Sequence, residues 1–316
     1  MFQDDVKFKD LACAIVDEQH RFGVHQRLGL SSKGNKADVL VMTATPIPRT
    51  LVLTAYGDME YSKIDQVPEG RKPVDTRVLP VDKISEVVAA LKRKIDSGCR
   101  AYWVCPLVEE SEKSDLAAAE ERFTALQKIF GRDVGLVHGK MKEKEKDAVM
   151  ERFKKGELKL LVATTVIEVG VNVPEATVMV IEHAERFGLA QLHQLRGRIK
   201  RGFEASTCIL MYAYPLSETA HQRLNIMKET EDGFLIAEKD LELRGGGEIL
   251  GTRQSGFSEF RLADMNVHQN LLHTANQDAK MILELDPNLQ TPRGQALRIL
   301  LYLFERDDAV KTYIAG

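Results

Sequence analysis

The sequence predicts an α/β protein whose parallel sheets are covered by helices and followed by a mainly helical C-terminal region. Short apolar runs recur over residues 11–212, and they lack the polar–apolar alternation of strands that expose one face to water. Such runs are typical of strands buried on both faces of a parallel sheet. Helical segments lie between several of them, and this alternation indicates βαβ units. The predicted strands are residues 11–16, 39–42, 101–108, 134–137, 159–163, 178–181 and 208–212.

Two segments between the predicted strands have the spacing of helices with one apolar face. Apolar side chains three or four residues apart come together on the surface that packs against a sheet. In residues 84–95 these are Ile84, Val87, Val88, Leu91 and Ile95, and in residues 115–130 they are Leu116, Phe123, Leu126 and Phe130.

The composition limits the classes of protein to which the chain can belong. Of 316 residues, 44% are hydrophobic and 29% are charged, which is typical of a folded protein of about two domains. No apolar run approaches the roughly 18 residues of a membrane helix, so we expect no membrane partner. The four cysteines lack metal or redox spacing, which favours buried thiols in a reducing cytoplasm. Since the formal net charge is −3, a nucleic-acid function must depend on motifs.

A proline-rich segment and the end of the strand pattern divide the chain. Residues 66–80 combine three prolines and a glycine in a short polar span, which is typical of a linker, although a long loop within one domain also fits. After about residue 214 the pattern is helical. We therefore predict three regions, residues 1–70, 71–214 and 215–316. Helices are predicted in the last region for residues 218–229, 263–285 and 293–306.

The stretch LACAIVDEQHRFGVHQR, residues 11–27, ends an apolar run in two acidic residues. An aspartate at a strand end, here Asp17, can hold Mg²⁺ through water, and the adjacent Glu18 can polarise an attacking water in phosphate chemistry. Taken alone, however, a buried strand followed by two acids fits a solvated loop better. Such chemistry also needs a glycine-rich phosphate loop that ends in Gly-Lys-Ser/Thr, and the 316 residues contain no such loop.

Three further segments place small polar or basic residues after predicted strands. Two of these segments contain threonine pairs, which often only cap turns. They are VLVMTATPIPRTL (residues 39–51) and LLVATTVIEVGVNVPEATVMVI (residues 160–181). QLHQLRGRIKRG (residues 191–202) contains closely spaced arginines. A run of charged residues usually lies on the solvent-exposed face of a helix. Guanidinium groups, however, also bind phosphate oxygens in bidentate fashion. The residues concerned are Thr43, Thr45, Thr164, Thr165, Arg196, Arg198 and Arg201.

The segment GLVHGKM, residues 135–141, contains Gly-Lys but does not match a phosphate-binding loop. Three residues separate its glycines where that loop needs four, and Met141 follows the lysine where serine or threonine is required. The eight histidines show no metal-ligand spacing, so we predict no zinc site.

Taken together and in this order, the four segments resemble motifs II, III, V and VI of superfamily 2 helicases, whose two RecA-like domains close on ATP. Over essentially the whole chain, the sequence resembles the RecG family of bacterial branched-DNA helicases. The stretches that carry this resemblance are DEQHRFGV.QR, TATPIPRTL, ERFGLAQLHQLRGR and DGFLIAEKDLELRG.GE..GTRQSG. The transcription–repair coupling factors (Mfd) share the TATP and arginine-rich segments but typically carry glutamine at the position of His20. His20 and QLHQ therefore favour the RecG family. The resemblance implies RecA-like sheets, the first of them incomplete.

The resemblance implies a role for each matching residue near the nucleotide. Asp17 corresponds to the acid that holds magnesium with ATP, Glu18 to the residue that activates water, and His20 to a link with the DNA side. Motif VI contributes a glutamine and two candidate arginine fingers. These residues are Gln194, Arg198 and Arg201, and the motif V residues on the nucleotide side are Gly170 and Asn172.

The resemblance also implies residues that contact DNA or couple hydrolysis to movement. Motif III couples the two processes, and the threonines of motif V lie near the DNA backbone. Residues 232–256 resemble a helical hairpin and loop, shared with Mfd, that converts domain closure into translocation along double-stranded DNA. The implied residues are Thr43, Thr45, Thr164, Thr165, Arg244, Arg253 and Gln254.

Three positions depart from the family pattern. Lys200 stands where motif VI usually has glycine, and its bulk and charge can misplace Arg201; the alternative is that Lys200 points to solvent. Asn172 replaces a frequent aspartate but keeps a hydrogen-bonding side chain. Gly246 replaces a common proline, and we attach no interpretation to this change.

The resemblance implies ATP-driven remodelling of branched DNA, such as stalled replication forks and recombination intermediates. ATP and magnesium are the implied cofactors. Double-stranded and branched DNA are the implied partners, together with other replication-fork proteins, and the implied location is the bacterial cytoplasm at the nucleoid. Affinity in such motors comes mainly from phosphate contacts and is independent of sequence.

In the family, a wedge domain and the half of motor domain one that carries the phosphate loop precede motif II. We therefore expect this chain to be a C-terminal part that is inactive alone. Three alternatives remain: a DNA- or partner-binding module without catalysis, a fragment of an Mfd-like translocase, or an enzyme completed by a separate chain that supplies the phosphate loop. In the family's sheet the phosphate-loop strand lies beside residues 39–42. Without it, these residues form an exposed apolar edge, so we expect the isolated chain to self-associate.

Overall fold

The computed structural model describes the chain in several segments. These are residues 6–17, 37–43, 62–64, 66, 69–106, 112–164, 173–199, 204–249, 263 and 268–304. The chain forms two compact units, one of residues 63–243 and one of residues 1–62 together with residues 244–316. In the described segments, no helix combines the length and the apolar character needed to cross a membrane.

The N-terminal part of the smaller unit contains a pair of parallel strands, β1 (Cys13–Val16) and β2 (Asp38–Val41). Ala14 and Val16 are buried, whereas Ile15 on the other face of β1 is 61% exposed. On β2, Leu40 is 52% exposed. One face of this pair is therefore apolar and open to solvent in the described residues.

The larger unit is built on a sheet of six described strands that pair in parallel throughout. The strands are β3 (Val74–Pro80), β4 (Arg100–Val104), β5 (Val134–Val137), β6 (Leu160–Ala163), β7 (Ala176–Ile181) and β8 (Ser206–Tyr212). Their spatial order is β3-β8-β7-β4-β6-β5, so β4 and β7 lie at the centre. Every residue of β6 and β7 is buried, as a sheet covered on both faces requires.

Helices cover both faces of this sheet, and each face has its own apolar core. One core contains Trp103, together with residues of the first two helices such as Leu126. The other contains Phe153, Leu192 and Leu224 from the next three helices. The five helices are α1 (Ile84–Asp96), α2 (Glu112–Phe130), α3 (Glu143–Lys154), α4 (Leu189–Gly197) and α5 (Glu218–Glu229).

Three further helices follow, α6 (Gly233–Ile249), α7 (Gln269–Leu285) and α8 (Pro292–Leu303). Ile236 of α6 is buried in the same core as Leu224. The carboxylate of Asp286 shapes the turn between α7 and α8, since it accepts hydrogen bonds from the backbone N–H groups of Gln290 and Thr291 at 2.8 Å each. The predicted α/β class with a helical C-terminal region is confirmed.

The linker predicted for residues 66–80 is wrong over its second half, because β3 occupies Val74–Pro80. Among the described strands, β3 lies at the sheet edge and pairs with β8 alone, so a proline at its end removes no ladder hydrogen bond from a second described neighbour. Val74 and Thr76 are buried on its inner face. The Glu231 side chain accepts a hydrogen bond from the N–H of Val74.

Gly135 of the GLVHGKM segment has a packing role in β5. A Cβ atom at this position would lie 2.7 Å from Cδ1 of Leu158, closer than real side chains approach. A larger residue at this position would force the Leu158 side chain to shift, so Gly135 has a packing role that is independent of any phosphate.

Candidate functional site

In the smaller unit, two of the predicted residues meet at the carboxyl edge of the strand pair. Asp17 directly follows β1, and Thr43 lies two residues beyond β2. The N–H of Met42 donates to the carbonyl of Val16 at 2.7 Å, so the pairing continues up to these residues. The carboxyl edge of a parallel sheet is where α/β proteins bind ligands. Glu18, His20 and Thr45 lie outside the described residues.

The exposed carboxylate of Asp17 suits a magnesium ion that arrives with a nucleotide. Mg²⁺ in such sites keeps several waters and is bound by one or two carboxylates plus the substrate phosphates. Among the described residues, no three His, Cys, Asp or Glu side chains cluster closely enough to hold a metal ion by themselves.

In the larger unit, Thr164 follows β6 at the carboxyl edge. Its side chain is 2% exposed, and its backbone N–H donates to the carbonyl of Val137 at 3.3 Å. Its Oγ1 is buried and has no hydrogen-bond partner among the described residues. The other predicted residues of this segment, Thr165, Gly170 and Asn172, lie outside the described residues.

The helix α4 presents the predicted motif VI residues. Leu189, Leu192 and Leu195 recur every three residues and are buried against the sheet, which fixes the rotation of the helix. Gln194 is half-buried, and Arg198 is the half-buried residue that caps the C-terminal end of α4. Both therefore combine a fixed backbone with partial exposure. Lys200 and Arg201 lie outside the described residues.

Arg196, the first of the three arginines, has a structural role. It is 3% exposed, and its Nη1 donates to the carbonyl of Met227 at 2.6 Å and to Oγ1 of Thr76 at 3.4 Å. The Met227 carbonyl belongs to the last turn of α5, where carbonyl groups have no partner within the helix and the helix dipole favours a cation. Burial lowers the pKa of the Arg196 guanidinium, but the group stays charged in proteins. Arg196 thus joins α4 to α5 and β3.

A charged cluster that the sequence did not predict lies at the carboxyl ends of the two central strands. Glu182, which directly follows β7, is 6% exposed and binds Arg122 of α2 through two hydrogen bonds of 2.8 and 2.6 Å. It also accepts from Nε1 of Trp103 at 2.9 Å. Burial by itself lowers the pKa of Arg122, because it disfavours the charged guanidinium. The hydrogen bonds and the negative charge of Glu182 outweigh this effect, so the pKa of Arg122 is raised. In the sequence, Glu182 has the same local pattern as Asp17, because each is an acidic residue that directly follows an apolar strand.

The cluster borders a cavity of about 270 Å³ between α2 and the ends of β4 and β7. The chain leaves β4 and β7 in opposite directions along the sheet, so this is the topological switch point at which open α/β sheets form crevices. Its wall includes Cys105, Glu121, His183 and Arg186. Since Glu182 and Arg122 neutralise each other, the cluster first of all holds α2 against the sheet.

The four cysteines are expected to separate into two reactive and two unreactive thiols. Cys13 is exposed and Cys99 is half-buried, whereas burial raises the pKa of both Cys105 and Cys208 to about 12. At pH 8 such a thiol is a thiolate about once in ten thousand molecules, and the thiolate is the reactive form. Ellman's reagent should therefore titrate two thiols in the native chain and four in guanidinium chloride. Rapid titration of all four native thiols would contradict the buried positions.

In the C-terminal region, the structure describes the helical backbone at Arg244 but not its side chain. Arg244 lies in the second half of α6. Arg253 and Gln254 lie outside the described residues. Their predicted role in translocation stays a prediction.

Two family profiles match separate parts of the chain. The family described as "Helicase conserved C-terminal domain" matches residues 82–202, and "ATP-dependent DNA helicase RecG, domain 3, C-terminal" matches residues 230–306. The ATP-dependent DNA helicase RecG of Pasteurella multocida (strain Pm70) is 50% identical over 297 residues. The RecG of Escherichia coli (strain K12) is 53% identical over 293 residues, and that of Bacillus subtilis (strain 168) is 51% identical over 300. The chain is therefore similar to part of the RecG helicases over more than nine tenths of its own length.

The chain spans less than half the length of the curated RecG relatives that it matches. The match covers 92% of this chain and 43% of the Pasteurella RecG, and 94% of this chain and 44% of the Bacillus RecG. A solved structure of RecG bound to a three-way DNA junction matches 86% of this chain and 35% of that one, with 43% identity and a TM-score of 0.66. The Mycobacterium smegmatis helicase Lhr matches 85% of this chain and 34% of that one, with 17% identity and a TM-score of 0.51, which shows likeness of fold alone.

Proposed function

We propose that this chain acts as part of an ATP-dependent translocase on double-stranded DNA that remodels branched DNA, such as stalled replication forks and recombination intermediates. The main support is that the similarity to Escherichia coli RecG, 53% over 91% of this chain, continues through the helicase region into the region specific to RecG. That a RecG relative has been solved on a three-way junction supports branched DNA as the substrate.

In this proposal, ATP and Mg²⁺ are the cofactors. Asp17 holds the metal with the nucleotide, Glu18 activates the attacking water, and His20 links the nucleotide to the DNA side. A permanently charged guanidinium at Arg198 or Arg201 stabilises the charge that spreads over the transferred phosphoryl oxygens. The supporting observation is the placement of Asp17 at a strand end and of Arg198 at the end of a firmly packed helix. Further proposed residues are Gln194, Gly170 and Asn172.

Coupling and DNA contact are proposed for the remaining motif residues. These are Thr43, Thr45, Thr164 and Thr165 of motifs III and V, and Arg244, Arg253 and Gln254 in the region matched by the RecG profile. Work on chromosomal DNA would place the protein in the bacterial cytoplasm at the nucleoid, in company with other replication-fork proteins.

We expect the 316-residue chain to bind DNA but to hydrolyse ATP only at background rate. Phosphoryl transfer depends on positioning and charge stabilisation, and the chain contains no phosphate loop to orient the β- and γ-phosphates. A fusion to the part of Escherichia coli RecG that precedes the match should restore DNA-stimulated hydrolysis. In the fusion, Glu18→Gln should then lower turnover at least about a hundredfold, as expected for the loss of a group that activates water.

The measurement is steady-state ATP hydrolysis with and without a three-way junction. Sedimentation across a range of concentrations serves as a control, because the exposed face of β1 and β2 can drive self-association. Fluorescence anisotropy of the labelled junction tests binding by the unfused chain. DNA-stimulated hydrolysis by the unfused chain, abolished by Glu18→Gln, would show that this chain is itself the enzyme. Failure of the chain to bind any DNA would count against the whole assignment.

A further inference from the structure

The stretch YAYP, residues 212–215, places two tyrosines at the end of β8 with one residue between them. Because side chains alternate between the two faces of a strand, the first and the third residue of such a stretch lie on the same side of the sheet. The rings of Tyr212 and Tyr214 accordingly contact each other, with centroids 5.2 Å apart and planes at 81°. This edge-to-face arrangement is favourable for two aromatic rings.

The pair is held in place by the core and by hydrogen bonds. Tyr212 is half-buried and packs against the core that contains Leu224, and its hydroxyl lies 2.9 Å from the hydroxyl of Tyr214. This hydrogen bond raises the pKa of Tyr212, so the phenol stays protonated in neutral solution. Between the two rings, the N–H of Ala213 donates to Oε2 of Glu185 at 3.4 Å. The ring of Tyr214 is therefore held in one position before any ligand arrives.

Tyr214 is nevertheless 71% exposed, although an aromatic side chain stabilises a protein most when it is buried. The apolar surface around it is small, because Pro215 is exposed, Leu216 packs against the core, and the polar residues Ser217 and Glu218 follow. A specific protein interface buries about 800 Å² of each partner, and one ring with one proline offers only a fraction of that area. A single planar group of the size of a nucleobase matches the face of one ring.

The charges beside the pair favour a neutral planar group over a phosphate. The carboxylate of Glu185 lies 3.0 Å from Nδ1 of His183 and 4.0 Å from Nε of Arg186, so these groups are engaged with one another. Every nucleobase has a π-face, and stacking of a base on an aromatic side chain is favourable whatever the sequence. Inside a duplex both faces of a base are already stacked, so such a ring selects an unpaired base.

The position of the pair in the sheet brings it within reach of the DNA proposed above. β8 ends at the same carboxyl edge as β6, which Thr164 follows, and the order β8-β7-β4-β6 puts three strand spacings between them. At about 4.8 Å per spacing, the two strand ends are roughly 14 Å apart. One strand of DNA advances about 3.4 Å per nucleotide, so about four nucleotides span this gap.

We propose that Tyr214 stacks on one unpaired base of a DNA strand and that Tyr212 holds its ring for this contact. The proposal rests on the DNA function proposed above and adds to it a contact that detects the unpaired state of a base but not its identity. A stalled fork differs from an ordinary duplex in carrying bases without a partner. The pair thus gives the chain a means to favour the branch over the paired arms.

The test measures the affinity of matched variants of the full chain for two DNA probes. The probes are a fluorescently labelled oligothymidylate, which has no paired bases, and a labelled duplex with blunt ends. Tyr214→Ala removes the ring, Tyr214→Trp enlarges its stacking face, and Tyr212→Phe removes the hydrogen bond that holds it. Tyr302→Ala on α8 is the matched control, because that side chain is 70% exposed.

Fluorescence anisotropy at low salt should show that Tyr214→Ala binds the oligothymidylate about tenfold more weakly, equivalent to about 1.4 kcal/mol. Tyr214→Trp should bind it at least as tightly as wild type, and Tyr212→Phe about threefold more weakly. Affinity for the duplex should be equal in all variants, and the control should match wild type on both probes. An oligothymidylate that carries 5-iodouracil at one position should cross-link to Tyr214 under ultraviolet light, which peptide mass spectrometry detects. The urea midpoint of Tyr214→Ala should equal that of wild type, since the ring is exposed.

Several results would overturn the proposal. Equal binding of the oligothymidylate by wild type and Tyr214→Ala would exclude the stacking contact, while binding of the duplex would leave the proposed function in place. An equal loss on both probes would indicate a contact with the DNA backbone. A lower urea midpoint for Tyr214→Ala would give the ring a structural role. Loss of self-association in sedimentation, with unchanged DNA affinity, would assign the ring to contact with a second copy of the chain. A wild-type chain that binds neither probe would remove the proposed function and this contact together.

Discussion

Replacing Arg122 by methionine is expected to lower the free energy of unfolding by about 3–5 kcal/mol. The carboxylate of Glu182 has only 6% exposure, and Arg122 supplies two of its hydrogen bonds and its neutralising charge. The variant leaves a charge buried at the centre of the sheet, and among the described residues the indole N–H of Trp103 is its one remaining side-chain donor. Because the Arg122 side chain is 26% exposed, water can partly replace it, which favours the lower end of the range.

The measurement is urea unfolding followed by circular dichroism, with extrapolation to water. The double variant Arg122→Met with Glu182→Leu is the informative control, since removal of both partners of a buried pair is often nearly neutral. We expect it to regain most of the stability lost in the single variant. If the single and double variants are equally unstable, the loss reflects the packing of α2 and not the uncompensated charge.

Arg196→Ala is expected to lower the free energy of unfolding by about 3 kcal/mol, because it removes a charged hydrogen bond and leaves a cavity. The carbonyl of Met227 loses its donor at the end of α5, and Thr76 loses its contact from α4. The contact between the helix that carries Arg198 and the helices that follow should weaken at the same time. Residues of α5 should therefore exchange their amide hydrogens faster in this variant.

Exposed Arg132→Ala is the matched control, and its unfolding free energy should stay within about 0.5 kcal/mol of wild type. Hydrogen exchange followed by mass spectrometry separates the local effect on α5 from a general loss of stability. An Arg196→Ala chain as stable as the control would show that Arg196, like a typical arginine in a charge run, is dispensable for the fold.

The layered fold was predictable because its central strands are apolar throughout. β6 and β7 have no side chain that needs water, and helices with one apolar face lie before and after them. β3 was missed, since its prolines and charges resemble a linker and only its partner β8, far along the chain, makes it a strand. Local patterns carry little information about such distant pairing.

The positions of candidate site residues were predictable only where an acidic or small polar residue directly follows an apolar strand. Asp17 and Thr164 follow apolar runs, and the structure places both at carboxyl edges. The sequence could not separate Arg196 from Arg198, because the choice between interior and surface depends on the rotation of α4 against the sheet. Glu182 carries the same local signal as Asp17, yet its partner on α2 makes it part of the core.

The pairing of β3 with β8 also affects how the chain folds while it is being made. Val74 pairs with Ser206, and ribosomes add about 5–20 residues each second, so β3 waits roughly 7–26 s before its only neighbour is synthesised. During this interval the central strands can already assemble with α1 to α4. The nascent protein thus carries an unpaired strand during this interval, and β3 joins the sheet among the last of the described strands.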